Sequence, residues 1–127
     1  MIYRSKISYR MYNKRSIGNE YENKAVQYLK NNGYSIVERN FYSKQGEIDI
    51  IAKEGEYLVF VEVKYRSSMD KGHPVDAVNF LKKNRIIKTA KYYMYKKQIS
   101  EYQAVRFDVI ALLGDDVKLI KDAFWVE

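Results

Sequence analysis

Two carboxylates and an amine stand close together in residues 46–64, GEIDIIAKEGEYLVFVEVK. Asp49 and Glu62 offer the hard oxygen ligands that suit magnesium, manganese or calcium. Lys64 adds a cation beside them. In Tyr57–Lys64 a period of two puts Val59, Val61 and Val63 on one face and Phe60, Glu62 and Lys64 on the other. In Glu47–Ala52 the same rule points Asp49 away from Ile48 and Ile50. If Glu54-Gly55 is a two-residue turn, Lys53 pairs with Glu56 and Asp49 lies across from Phe60, sharing a face with Glu62 and Lys64. Asp49 and Glu62 are then diagonal neighbours with Cβ atoms about 6 to 8 Å apart. One cation with ligands at about 2.1 Å can bridge that gap.

An Asp, a Glu and a Lys on one strand face are more commonly a solvated edge or a cross-strand salt bridge. The surrounding run YLVFVEV argues against that here, because it is apolar on both faces, as in a central strand covered on both sides. A carboxylate in such a place must be paired, neutral or bound to a metal.

Composition narrows the chemistry further. With no cysteine there is no disulfide, thiolate zinc site or cysteine nucleophile. The one histidine, His73, rules out a multi-histidine metal site and disfavours a Ser-His-Asp triad. Carboxylates are what remain for metal chemistry. A net charge of +7 and a pI near 9.4 point to polyanionic partners, nucleic acid or an anionic membrane surface. No apolar run reaches the length of a membrane span and no signal-peptide core opens the chain, so a soluble, cytoplasmic protein without membrane association is expected.

The 127 residues suit a basic arm over residues 1–15 and one domain over residues 16–127. The arm carries Arg4, Lys6, Arg10, Lys14 and Arg15 with Tyr3, Tyr9 and Tyr12 between them, and no acid. It reads either as a phosphate-backbone contact or as a frayed tail. Ser16 caps a helix over about Ile17–Asn32 that stops at Gly33. Ala25, Val26 and Leu29 form its inward stripe, and Glu22 falls on the same face. That glutamate is either a boundary residue or a fourth member of the Asp49 cluster. A first strand follows over Tyr34–Phe41, then a turn over Ser43–Gly46 into the central hairpin.

Beyond Lys64 the chain turns polar, and Arg66, Ser67 and Ser68 stand where a phosphate can be held, although loop polarity explains them equally well. His73-Pro74 opens a second helix running to about Lys97, with Val78, Leu81, Ile86, Ala90 and Met94 inward. Its other faces carry Lys82, Lys83, Arg85, Lys88, Lys91, Lys96 and Lys97 with no acid between, either a nucleic-acid surface or a solvated basic face. Ala104–Leu113 reads as a buried strand in which Asp108, beside Arg106, pairs with a core cation. After a Gly114–Asp116 turn, Val117–Ile120 is a short last strand, and Ala123-Phe124-Trp125 packs.

GEIDIIA followed by VFVEVKYRS resembles motifs II and III of the PD-(D/E)XK nuclease superfamily. The wider layout is similar to that of the YraN-like family of small endonuclease-like proteins. It comprises GNEYENKAVQYLKNNGY, Glu38-Arg39-Asn40, the hairpin, Gly72 with Pro74 and Ala77-Val78, Lys82 and Arg106–Val109. The match covers about residues 18–125. The resemblance implies an α/β fold, a mixed central β-sheet flanked by helices with a restriction-endonuclease-like αβββαβ core. It also implies that Asp49 binds metal, that Glu62 and Lys64 are the (D/E)XK pair, and that Glu22 is a further ligand or water-positioning group. Where the family has glycine before that glutamate, this chain has Tyr21.

The activity expected from this resemblance is metal-dependent hydrolysis of nucleic-acid phosphodiesters, structure-directed rather than sequence-directed. Magnesium (Mg2+) is the expected cofactor and manganese (Mn2+) its substitute. Asp49, Glu62 and Glu22 would hold the metal and Lys64 would orient water or offset charge. Arg66, Ser67, Lys82, Arg85 and Lys88 would hold the nucleic acid, DNA foremost. The competing class is a non-catalytic nucleic-acid-binding module on the same scaffold. Homodimerisation is left open.

Overall fold

The computed structural model describes residues 20–69 and 79–124. Residues 20–31 are helical (α1), followed by strands β1 (Ser35–Ser43), β2 (Gly46–Glu54) and β3 (Tyr57–Arg66). Helix α2 (Phe80–Lys96) then leads to β4 (Val105–Leu113) and β5 (Asp116–Phe124). The strands form one sheet in the order β1-β2-β3-β4-β5. Among the described strands only β3 and β4 are parallel, and their connection runs through α2, as a parallel crossover requires. The protein is therefore α/β, with a mixed five-stranded sheet and, among the described residues, two helices. This architecture is compatible with a restriction-endonuclease-like fold.

The helices cover opposite faces of the sheet. Ala25, Val26 and Leu29 of α1 pack with Ile50, Ala52, Val59, Val61, Ile110 and Leu112. On the other face Ile86, Ala90 and Tyr93 of α2 pack with Ile51, Leu58, Phe60, Phe107 and Val109. The double covering makes Leu58–Glu62 buried without interruption, as the apolar run predicts. Gly33, at φ +89, ends α1 in a Schellman arrangement: its N–H donates to Lys30 O and that of Tyr34 to Leu29 O. The expected Ser16 cap and the basic arm lie outside the described residues.

Four local expectations are corrected. The hairpin turn is Gly55-Glu56, with Gly55 at φ +58 in the corner that favours glycine, so Glu54 pairs with Tyr57. Helix α2 starts at Phe80 because the extended Asn79 caps it, its side chain accepting from Lys82 N. His73 and Pro74 lie outside the described residues. Leu81 is exposed rather than inward. Finally, β5 is nine residues long and ends in the buried Phe124. Its polar outer positions hide this length from a hydrophobicity pattern.

Gly46 explains how closely α2 sits on the β1–β2 hairpin. A Cβ there would meet Thr89 Oγ1 at 3.0 Å, and its φ of +148 lies in the region L side chains rarely adopt. The buried Thr89 hydroxyl is satisfied by Arg85 O at 2.7 Å.

Candidate functional site

The site forms where β2 and β3 separate. Their pairing ends at Ile50↔Val61, so the next step brings Asp49 level with Glu62 instead of Phe60. The turn is one residue later than expected, which moves the register by two and leaves both carboxylates on one face. The expected alternation of β2 does fail at Ile48, which packs on the α2 side while Ile50 packs on the α1 side. Beyond the end of the ladder, Val63 N–H donates to Asp49 Oδ2 at 2.8 Å. The aspartate side chain thus does the work of a missing strand partner and is fixed by it.

Glu62 is only 4 % exposed and closes the buried run Leu58–Glu62 of β3. Lys64 Nζ, two residues on, lies 3.4 Å from its Oε1, and Lys82 Nζ, from the first turn of α2, lies 3.1 Å from the same oxygen. Burial pushes the Asp49 carboxyl up to about 7, and the neighbouring Glu62 charge pushes it the same way. The Val63 N–H and Lys82 pull in the opposite direction without cancelling this. Burial works against the charge of Lys82, yet Glu62 and Asp49 hold its ammonium above the ordinary lysine range. Two adjacent carboxylates under mutual repulsion, with oxygen donors only, suit a hard divalent cation. Magnesium commonly takes one or two carboxylates and completes its shell with water and phosphate oxygens, so Asp49 and Glu62 fit that ion as a pair.

Lys82 turns toward Glu62, although its residue type reads as an outward face of α2. Counting back from Tyr93 through Thr89 and Ile86 reaches Lys82 at helical spacing, which was the available signal. Glu22 takes a different place. Its Oε1 accepts from Arg39 Nε at 2.8 Å and Asn40 Nδ2 at 3.0 Å, with Asn40 at φ +54 in β1. Among the described residues no group of three or more His, Cys, Asp or Glu is arranged to hold a metal. Asp49, Glu62, Lys64 and Lys82 are brought together, and Glu22 is tied to β1. Tyr21 stacks on Tyr65 with centroids 4.1 Å apart, packing α1 onto the end of β3. Arg66 ends β3, Ser67 is exposed just after it, and Arg85 and Lys88 are exposed on α2.

A second charged cluster lies on the α1 side of the sheet. Asp108 is fully buried and accepts from Arg106 Nε and Arg106 Nη2, both at 2.8 Å, and from Tyr34 Oη at 2.7 Å and Asp122 N at 2.9 Å. Arg106 also reaches Glu54, which Lys121 holds from the far side. Burial first, then Asp108, pushes the Tyr34 hydroxyl well above its ordinary range. The expected pairing of Asp108 with a core cation is met by Arg106, and this cluster is structural.

No described helix is long and apolar enough to cross a membrane. Residues 21–112 match the family model of the uncharacterised protein family UPF0102. A UPF0102 protein of Lachnoclostridium phytofermentans is 46% identical over 112 residues, 88% of this chain and 95% of the relative. One from Fusobacterium nucleatum is 44% identical over 113 residues (89% and 94%), and one from Persephonella marina is 47% identical over 107 (84% and 91%).

Proposed function

We propose that this chain, which belongs to the uncharacterised protein family UPF0102, is a metal-dependent nuclease of the PD-(D/E)XK type that hydrolyses nucleic-acid phosphodiesters. The observation that carries this reading is the buried Asp49–Glu62 pair at the split between β2 and β3, with Lys64 and Lys82 against it. Asp49 and Glu62 would hold magnesium or manganese. Such an ion, when bound, supplies Lewis acidity toward a phosphoryl oxygen and makes water a better nucleophile at neutral pH. Lys64 reaches the same face from two residues beyond Glu62 and is positioned to offset charge that builds on the phosphate. The Val63 N–H keeps the Asp49 carboxyl aimed at the site. Arg85 and Lys88, exposed on α2, supply sequence-independent attraction for the backbone, so affinity should fall with salt.

A second reading, a nucleic-acid-binding module without turnover, is favoured by one arrangement: both lysines already engage Glu62, and Glu22 is tied to Arg39 and Asn40. Labelled duplex, single-stranded, flap and four-way-junction DNA, and RNA counterparts, would be incubated with Mg2+ or Mn2+. Divalent-dependent cleavage, lost in Asp49→Ala and Lys64→Ala while binding persists, is expected. Salt-sensitive binding without cutting by the wild type on any substrate would favour the binding module.

A further inference from the structure

We propose that Lys82 is a built-in counter-ion which Glu62 exchanges for a divalent cation, so that metal loading frees a positive charge for the phosphate backbone. This rests on the metal-dependent reading above and adds a coupling between the two ligands of the site.

The starting point is the double occupancy of one oxygen. Glu62 Oε1 receives Lys82 at 3.1 Å and Lys64 at 3.4 Å. A carboxylate as buried as Glu62 must have a partner when no metal is present, and these ammonium groups provide it. A dication on Glu62 and Asp49 would add a third cationic centre to the one Glu62 carboxylate. At such separations like charges repel even through the partial screening of a protein site, which drives one lysine to withdraw from the carboxylate.

The two lysines differ in how easily they can do so. Lys64 springs from the same strand as Glu62, two residues away, on a backbone paired with β4 at Ala111. Lys82 is about as exposed as Lys64 (31% against 28%) but reaches across from the first turn of α2. Its four-carbon stem can swing to solvent without moving the helix. There it joins the exposed Arg85 and Lys88, three and six residues further along. Metal and nucleic acid would therefore bind with positive coupling, each favouring the arrangement in which Lys82 has left Glu62.

The test is Mn2+ affinity, read from the electron paramagnetic resonance signal of free Mn2+ at low ionic strength, with circular dichroism to check the fold. Wild type would be compared with Lys82→Met, Lys82→Gln, Lys82→Arg and Asp49→Asn. Loss of the competing charge is expected to tighten Mn2+ binding about threefold to tenfold in Lys82→Met. Lys82→Arg, which keeps the charge, is expected not to tighten it. Lys82→Gln carries the same expectation as the Met variant and decides the matter if that one fails to fold. Binding seen only in the neutral variants also supports the proposal. Unchanged or weaker affinity in folded neutral variants overturns it, and wild-type binding that Asp49→Asn abolishes would then leave the metal site standing. Absence of binding in every protein overturns both.

Discussion

Asp108 and Asp49 are both aspartates of one sheet, and the fold treats them in opposite ways. Asp108 is fully buried and meets four donors from Arg106, Tyr34 and the backbone of Asp122. The contacts with Arg106 are bidentate, and the pair closes on itself. Asp49 meets one backbone donor and a second carboxylate, and burial together with Glu62 pushes it up to about 7. The first arrangement neutralises a charge with fixed partners and joins β4 to β5 and to the turn after α1. The second holds like charges together, offset by the Val63 N–H and by the ammonium groups of Lys64 and Lys82. A fold that maintains such a pair stores unfavourable electrostatics at one place, and perturbed groups of that kind gather where binding or chemistry occurs.

The difference can be broken most forcefully from the structural side. Asp108→Ala leaves Arg106 without its bidentate partner in a largely buried position. A loss of about 3 to 5 kcal/mol in urea-unfolding stability is expected. A loss below about 1 kcal/mol would mean that the Asp108 cluster is not the structural centre described here.

A smaller effect sharpens the other side. The folded-state pKa of Asp49 is raised above its ordinary value of 3.8 to about 7, so between those values the folded protein holds the proton more tightly than the unfolded chain. Stability contributed by this group is thus present below about pH 4, falls as pH rises toward 7, and is flat above. Metal-free wild type should lose at most about 3 to 4 kcal/mol relative to Asp49→Asn between pH 4 and pH 7.5. Parallel stability curves for the two proteins would show that Asp49 is not held against its charge.

Which parts of this were legible in the sequence follows from what each residue depends on. Asp49, Glu62 and Lys64 converge because strand alternation and a short hairpin force it. A turn misplaced by one residue shifts the register by two and so preserves the face. Arg106 and Asp108 lie two apart on one strand, and their pairing was readable for the same reason. Lys82 reads as outward from its residue type, although the stripe through Ile86 and Tyr93 passes through it. The partners of Glu22 were beyond reach: they come from β1 near a register irregularity and from Asn40 at positive φ, neither of which has a periodic signature. The length of β5 was hidden likewise, since its pairing with β4 is interrupted where Asp122, at φ +55, donates to Asp108.

The most direct test of the central claim measures folding and cleavage on the same preparations of wild type and Asp49→Asn, with Mg2+ and the substrate that the wild type cuts best. The expected result is a variant at least as stable as the wild type near neutral pH, with cleavage reduced by about a hundredfold or more. A variant that cuts like the wild type, or one that loses activity only because it unfolds, would contradict the assignment of Asp49 to the chemistry.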